Sequence, residues 1–295
     1  MPTGTRPFGL TVVTLVYVAA GLIAWLTVAL LPGRHPLLLT FAADVAATLL
    51  VFAATMAAAN ASLYDPYWSV APAVIVAVWV VVADGEAARQ TAVLLLVAAW
   101  AIRLTANWAR SWPGLHHEDW RYGQLREQRP AGAPWWLVNL VGIQLVPTFV
   151  VFGGLLPVWP AVTVAGRPFG VLDMLAVAVT VAAIVLETTA DRQLYRFASD
   201  PENRGRIIDE GLWRFSRHPN YLGEILFWWG MWLFALAAAP SWWWTMLGPV
   251  GVTLLFAFVS IPMMDRRSLA RRPDYAQHMR RVPALLPRRP VARRH

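Results

Sequence analysis

The chain of 295 residues contains no cysteine and no lysine. The absence of cysteine excludes a disulfide framework, a thiolate nucleophile and a thiolate metal site. The absence of lysine excludes a Schiff-base lysine and a lysine general base, because all 25 strongly basic residues are arginines. Charged residues are also scarce, at 14% of the chain. Because soluble domains carry about a quarter of charged residues, the composition argues against an ordinary soluble protein.

Several motifs of nucleotide and metal chemistry are missing as well. No GxGxxG follows a predicted strand and no GxxxxGK[ST] is present, so we predict neither a Rossmann crossover nor a P-loop. His116 and His117 are followed by two acids, but adjacent histidines point apart on a helix and neither has a histidine four residues away. We therefore predict no metal site. A phosphate-bearing cofactor would have to be held by arginines and helix ends in the loops.

Long apolar segments dominate what is present, since 58% of the residues are hydrophobic. Each segment is close to the roughly 20 residues that cross about 30 Å of hydrocarbon. The sequence therefore predicts an all-α polytopic membrane protein, a transmembrane bundle of seven to eight helices. The segments are residues 9–31, 37–59, 68–83, 90–109, 136–159, 169–188, 221–239 and 242–264.

The arginines are distributed unequally between the predicted loops. With the N-terminus inside, 21 arginines lie on the inner side and three on the outer side. The positive-inside rule then predicts that both termini are cytoplasmic, in what we expect to be a bacterial inner membrane. This asymmetry explains the net charge of +8 without nucleic-acid binding.

The most unusual stretch is the RHPNYLGE segment (residues 217–224), which runs directly into an apolar helix. Pro219 fits the first turn of that helix, where a missing N–H has no consequence. A carboxylate one turn inside an apolar helix costs free energy, so it is expected to have a polar partner or a function there. We predict that an imidazole, a guanidinium, an amide, a phenol and this carboxylate converge here, from His218, Arg217, Asn220, Tyr221 and Glu224.

Three other positions carry polar groups at or inside the apolar segments. Asp65 precedes a proline, and is either a helix cap at the water boundary or an acid at the cytoplasmic mouth of a cavity, able to donate a proton. Arg103 lies well inside a segment, so we expect it to face a polar cavity and to pair with an acid or a phosphate. Glu187 and Asp191 share a helix face. They are either a solvated like-charge pair or acceptors for ribose hydroxyls or an amide.

These residues carry a family resemblance over about residues 60–290. The Glu187-x3-Asp191 pair, the loop at Asn203, the RHPNYLGE segment and the terminal IPMMDRR…RRPDYAQHMRR resemble the steroid 5-alpha-reductase family. They resemble more closely its bacterial branch of membrane proteins of unknown function, of the DUF1295 type. A related RHPxY signature also occurs in sterol reductases and isoprenylcysteine carboxyl methyltransferases, so this motif fixes a superfamily and not a reaction.

The resemblance implies a helical membrane enzyme that binds NADPH from the cytoplasm and passes a hydride to the β carbon of an enone. By position, Asn220, Tyr221 and Glu224 would contact the nicotinamide half, with Asp191 joining them, and Arg206 and Arg103 would meet the phosphates. The residues that we predict to bind NADPH are Arg103, Arg110, Arg121, Glu187, Asp191, Arg206, Arg217, His218, Asn220, Tyr221, Glu224 and Arg267.

The substrate side of the resemblance is less complete. Asp65 stands where the steroid reductases have an acid that polarises the substrate carbonyl, but Trp100 occupies about the place of the partner tyrosine. Tyr67 could replace the missing phenol, so the predicted catalytic residues are Asp65 and Tyr67. Near Glu187 the family has an asparagine. The substrate implied is a 3-oxo-steroid or another lipid enone that arrives from the bilayer.

We expect residues 1–59 to form two N-terminal transmembrane helices of structural role, residues 60–290 a reductase-like catalytic domain, and residues 291–295 a disordered tail. Two other functions stay open. One is an S-adenosylmethionine-dependent methyltransferase of the isoprenylcysteine type, and the other is a non-enzymatic lipid-binding membrane protein. The glutamate of the RHPNYLGE segment favours the reductases.

Overall fold

The computed structural model describes residues 5–288, in which all regular secondary structure is helical. Eight helices of this part of the chain are long and apolar enough to cross a membrane. The predicted all-α transmembrane fold is confirmed at its upper count of eight, and the chain is an integral membrane protein. The spans are Arg6–Leu30, Pro36–Ala57, Ala61–Val82, Ala87–Ser111, Trp135–Leu155, Val171–Ser199, Pro219–Ala238 and Pro240–Arg271.

Three of the spans are interrupted rather than uniformly α-helical. The third begins with a 3-10 turn, the fifth contains a π-helical segment, and the eighth contains one of each. Such π segments widen the helix locally and are frequent at functional sites. The interruptions are the 3-10 turns Ala61–Tyr64 and Pro240–Met246 and the π segments Asn139–Leu145 and Phe256–Ser260.

The α-helices are numbered in chain order. They are α1 (Arg6–Leu30), α2 (Pro36–Ala57), α3 (Tyr67–Val82), α4 (Ala87–Ser111), α5 (Trp120–Glu127), α6 (Trp135–Val138), α7 (Val146–Leu155), α8 (Val158–Thr163), α9 (Val171–Ser199), α10 (Pro219–Ala238), α11 (Leu247–Leu255), α12 (Ile261–Arg271) and α13 (Tyr275–Arg281).

The largest difference from the predicted segments is at α9. The apolar pattern ends near residue 188, but the helix continues to Ser199. Glu187 and Asp191 therefore lie within one continuous helix, as their spacing requires. The predicted disordered tail at residues 291–295 lies outside the described residues. The cytoplasmic location of the termini and the type of membrane remain predictions.

The chain divides into two compact units. Among the described residues, unit 1 comprises residues 5–85 and 97–155, and unit 2 comprises residues 86–96 and 156–288. The predicted boundary between residues 59 and 60 falls inside unit 1. In this unit α1 and α2 pack together, and α2 also packs against the 3-10 turn that precedes α3.

Unit 1 fixes the linker between its second and third spans with side-chain hydrogen bonds. The Asn60 side chain donates to the carbonyl oxygens of Leu115 (2.8 Å) and His117 (3.0 Å). The Tyr17 hydroxyl donates to the Leu63 carbonyl at 2.8 Å. Because these bonds satisfy polar groups that would be unpaired in hydrocarbon, the linker is held tightly at the end of the span.

Unit 2 is built around the close packing of α9 against α10. A Cβ added at Gly223 would lie 2.6 Å from the Glu187 Cβ, and one added at Gly230 would clash with the Thr180 hydroxyl oxygen. Small residues let the backbones of two membrane helices approach this closely. The glycines of α10 thus bring its first turns directly against the acidic end of α9.

A buried ion pair anchors the opposite end of α9. Both Arg89 and Asp173 are fully buried, with the guanidinium Nε 2.6 Å and Nη2 3.0 Å from the two carboxylate oxygens. Asp173 also accepts from the Gly170 amide at 2.9 Å and so caps the helix start. A bidentate pair with this extra bond satisfies the charges that burial removes from water.

Candidate functional site

The candidate site lies where the start of α10 packs on α9 in unit 2. The Asn220 side chain donates from Nδ2 to Asp191 Oδ1 at 3.3 Å. Its Oδ1 atom is buried and has no hydrogen-bond partner within the described residues. A buried amide oxygen without a donor loses its hydration and gains nothing in return, at a cost of about 1–3 kcal/mol. This atom is the clearest indication that a ligand completes the site.

Two glutamates lie one turn deeper at the same helix pair. Glu187 is 5% exposed and Glu224 is 3% exposed, and both are within spans. Glu224 accepts a hydrogen bond from the Trp228 indole at 2.8 Å. Glu187 lies against Gly223, the neighbour of Glu224. Carboxyl groups this deep in a membrane helix pair are a functional-site hypothesis by default.

Tyr221 forms an aromatic wall beside the site. Its ring stacks on the His218 imidazole with centroids 5.3 Å apart and planes 9° apart, and meets the Phe256 ring at 4.8 Å. The predicted common face is realised only in part, because Asn220 faces Asp191 whereas Tyr221 faces the π segment of the last span. The two groups nevertheless lie in the same first turn of α10.

Arg217 and His218 are joined to Asp265 of α12. Asp265 accepts from Arg217 Nη2 at 2.8 Å and lies 3.0 Å from His218 Nε2. The Tyr275 hydroxyl also donates to it, at 2.8 Å. Burial and this carboxylate raise the pKa of Tyr275 above its ordinary value. The remaining Arg217 nitrogen, Nη1, donates to the carbonyl oxygens of Val282 and Met279.

These contacts explain Arg217 and His218 as anchors of the start of α10. The backbone agrees, since the Arg217 and His218 amides donate to the carbonyls of Pro283 (2.9 Å) and Ala284 (3.1 Å). Sequence reasoning did not foresee Asp265 in this role, although an acid at the end of the last span was visible. Direct contacts of Arg217 and His218 with a cofactor remain a prediction.

Asp65 belongs to a separate polar cluster in unit 1. The Tyr122 hydroxyl donates to Asp65 Oδ1, and Arg121 Nη2 lies 3.8 Å from the same oxygen. Arg121 also donates from Nε to Asp119 at 2.8 Å. Burial, followed by the Asp65 charge, raises the pKa of Tyr122 well above its ordinary value. The N-cap of α3 is Pro66, so Asp65 is an acceptor for Tyr122 and Arg121 rather than the cap of that helix.

Tyr67 contacts a different carboxylate, which sequence reasoning missed. Its hydroxyl donates to Asp44 Oδ1 at 2.8 Å. Asp44 lies in α2, a span that we interpreted as structural, and is 8% exposed. The sequence did contain an indication of this site, because Asp44 is the one charged residue of its 22-residue apolar helix. Asp65 and Tyr67 thus have different partners, and their predicted catalytic roles remain untested.

The other predicted arginines are divided between the units. Arg103 and Arg110 belong to α4 within unit 1, Arg103 half-buried and Arg110 exposed, with Arg110 Nε bonded to the Ala106 carbonyl at 3.2 Å. Arg206 and Arg267 belong to unit 2, and exposed Arg206 donates to Asn203 at 3.1 Å. Their phosphate contacts remain predictions.

Comparisons with known proteins bear on this arrangement. A family model described as "Protein of unknown function (DUF1295)" matches residues 51–282, which include the site between α9 and α10, the Asp65 cluster and the RHPNYLGE segment. The chain belongs to the DUF1295 family. This family is part of the steroid 5-alpha-reductase-like group, so the resemblance seen in the sequence is confirmed.

A relative of this DUF1295 protein occurs in a eukaryote. An uncharacterized protein of the yeast Schizosaccharomyces pombe is 28% identical over 257 residues, which cover 78% of this chain and 73% of the yeast protein. No solved structure matches the chain significantly. Neither the family description nor the name of the yeast protein states an activity.

Proposed function

We propose that this DUF1295 protein is an NADPH-dependent membrane reductase of the activated C=C bond of a lipid enone, such as a 3-oxo-steroid. The observation that carries the proposal is the buried, unpartnered Oδ1 of Asn220 next to Asp191. The carboxamide of nicotinamide offers N–H donors that match an amide oxygen and a carboxylate. Membership of the steroid 5-alpha-reductase-like group supports the same chemistry.

The residues of unit 2 would hold and orient the cofactor. Asn220 and Asp191 would bind the carboxamide, and the Tyr221 ring, whose position is fixed by contacts with His218 and Phe256, would lie beside the nicotinamide ring. When bound, NADPH supplies the hydride. Orientation by fixed side chains accounts for a large share of catalysis in such transfers. Glu187 and Glu224 would exclude competing anions from this end of the site by their charge.

The phosphate groups of NADPH would require cationic side chains. In unit 2, Arg217 is a weak candidate because it is already bonded to Asp265. Its guanidinium already bonds one carboxylate and two carbonyl oxygens. Arg206 is exposed and its described side-chain partner is the Asn203 amide oxygen, so it is the stronger phosphate candidate of this unit, with half-buried Arg267 as the second. Arginine suits phosphate because its planar fork donates two parallel hydrogen bonds.

Ligand-induced thermal stabilisation of the purified protein in nanodiscs tests the proposal. We expect NADPH to raise the melting temperature with the logarithm of its concentration above the dissociation constant, since a ligand that binds only the folded state stabilises it. Asn220→Ala should weaken NADPH binding about ten-fold, the effect of one lost hydrogen bond at a buried site. Gln277→Ala, an exposed amide on α13, is the matched control and should bind normally.

The same titration separates the alternatives. Stabilisation by S-adenosylmethionine and not by NADPH would replace the reductase with a methyltransferase. Stabilisation by neither would leave a lipid-binding protein. Turnover is then followed as loss of NADPH absorbance with cholest-4-en-3-one as the enone, and no oxidation of bound NADPH by several lipid enones would also overturn the proposed reaction.

A further inference from the structure

The last part of the described chain carries a concentrated positive charge at and after the end of the eighth span. Residues 266–288 contain seven arginines and a single acid, Asp274. The preceding acid, Asp265, is buried and bonded to Arg217, so its charge is already paired. The exposed arginines of this region are Arg266, Arg271, Arg280 and Arg288. The surface formed by residues 266–288, which we call the basic surface, therefore has a positive potential.

The titration of His278 in α13 reflects this potential. Burial, followed by the charge of Arg217, lowers the pKa of His278 below its ordinary value, and Arg281 acts in the same direction. Asp209 and Asp265 oppose this shift without cancelling it. The two arginine charges make a further cation unfavourable at this position, and by the same interaction they favour an anion.

Arg272, between α12 and α13, has a guanidinium nitrogen without an acceptor. Its Nε atom is buried and has no hydrogen-bond partner within the described residues. A buried N–H group that is left unpaired costs free energy, and a phosphate oxygen is an acceptor that matches the guanidinium well. Arg272 as a whole is half-buried, so this nitrogen lies close to the basic surface.

Apolar side chains are exposed at the same end of unit 2. The closing segment (residues 282–288) lies beside the residues that precede α10, since the Arg288 amide donates to the Phe215 carbonyl at 3.1 Å. Leu286 in this segment is 74% exposed, and Phe215 is 37% exposed. Arg214 precedes Phe215, Arg288 follows Leu286 by two residues, and both arginines are exposed. Apolar side chains between arginines suit the boundary of headgroups and acyl chains, whereas a free phosphate would gain nothing from them.

We propose that the basic surface binds the headgroup of an anionic glycerophospholipid, with arginines on its phosphate and Leu286 beside its acyl chains. The positive-inside rule accounts for arginines near a span. It does not require exposed apolar residues among them, or a buried guanidinium nitrogen without an acceptor. An anionic lipid accounts for all three observations. The proposal does not depend on the proposed reductase, because the reductase needs no lipid at this surface.

Lipid binding to the full chain, purified in detergent, tests this surface. Dioleoylphosphatidylglycerol and dioleoylphosphatidylcholine have the same acyl chains, and native mass spectrometry counts the bound molecules of each as the lipid concentration rises. We expect the first phosphatidylglycerol to bind at least about ten-fold more tightly than phosphatidylcholine, since each arginine near an anionic headgroup contributes to the affinity. Raising the ionic strength to about 0.5 M should reduce this preference, because salt screens exposed charges.

Three variants and a matched control locate the site. Arg272→Gln and Arg288→Gln each remove one charge and should each reduce the preference for phosphatidylglycerol about three- to ten-fold. Leu286→Ser removes the apolar contact without changing the charge and should weaken phosphatidylglycerol binding about three-fold. Arg167→Gln changes an exposed arginine of unit 2 outside the basic surface and should keep the full preference.

Equal binding of the two lipids would overturn the proposal, as would an unchanged preference in both Arg272→Gln and Arg288→Gln. Displacement of phosphatidylglycerol by NADPH would also overturn it and would assign these arginines to the cofactor. Loss of the lipid preference with retained NADPH stabilisation would reject this inference alone. Selective phosphatidylglycerol binding by a protein that NADPH does not stabilise would reject the proposed function and leave this inference standing.

Discussion

At the scale of single residues, four buried or half-buried acids of the described chain differ in the side chains that they contact. Asp173 pairs with buried Arg89, and Asp265 contacts Arg217 and His218 at the start of α10 and accepts from Tyr275 of α13. Tyrosine hydroxyls also donate to Asp44 and to Asp65, and Arg121 lies 3.8 Å from Asp65. A phenol donor carries no charge, so it bonds a carboxyl oxygen without neutralising it, and such a carboxyl group can exchange a proton or bind a ligand.

Asp65 gives the sharpest test of a chemical role. We expect Asp65→Asn to lower turnover of NADPH with a lipid enone by about 100-fold, the usual contribution of a positioned acid. The affinity for NADPH should change much less, because the interaction would act mainly in the transition state. Steady-state rates and NADPH titrations on the same preparation measure both quantities.

The control for this variant is Asp209→Asn, an exposed acid of unit 2 that should leave both quantities unchanged. A parallel loss of turnover and NADPH affinity in Asp65→Asn would assign Asp65 to structure. Tyr122→Phe removes the hydroxyl that bonds Asp65 and should reproduce part of the rate loss if the pair acts together.

At the scale of elements, the α9–α10 pair determines the geometry of the candidate site. Hydrophobicity alone predicts both spans, and the i, i+4 spacing predicts that Glu187 and Asp191 share a face. The sequence could not reveal that Gly223 brings these acids against Asn220, because that contact depends on the packing of two helices. Nor could it pair Arg217 with Asp265, which lies 48 residues further along the chain.

Gly223→Ala tests the importance of this close packing. The added Cβ would lie 2.6 Å from the Glu187 Cβ and 2.9 Å from the Ala183 carbonyl oxygen, so the helices must separate. We expect a loss of about 1–3 kcal/mol in the free energy of unfolding, typical of overpacking, and weaker NADPH binding. Thermal unfolding with and without NADPH measures both effects.

Gly251→Ala provides the comparison in the same unit. Gly251 lies in α11, and a Cβ there meets no atom within 4 Å. Because alanine has the higher helix propensity, this change should be neutral or slightly stabilising. Equal stability of the two variants would mean that the α9–α10 contact is not tightly packed in the protein.

At the scale of the whole molecule, composition alone predicts the spans well. Each of the eight predicted apolar segments overlaps one spanning helix, because crossing hydrocarbon requires about 20 apolar residues whatever the tertiary fold. Partners of polar side chains are harder to foresee. The hydrogen bond between Tyr67 and Asp44 joins two different spans. Nothing in the sequence around either residue indicates that the other is its partner.

The arginine distribution predicts which loops of the protein face the cytoplasm. Reporter domains inserted at four exposed loop glycines should show Gly132 and Gly205 on the cytoplasmic side and Gly33 and Gly166 on the opposite side. The arginine excess near the first pair is the physical reason. An alkaline phosphatase and a fluorescent protein report the two sides, and the reversed pattern would contradict the prediction.

The anchoring of α10 has a consequence for how the protein is made. The Arg217 guanidinium donates to the carbonyl oxygens of Met279 and Val282, and its backbone amide donates to that of Pro283. Val282 follows Arg217 by 65 residues in the chain. During translation the seventh span therefore leaves the ribosome before its own beginning can be completed. The nascent chain must keep that polar end open until residues 279–283 have left the ribosome.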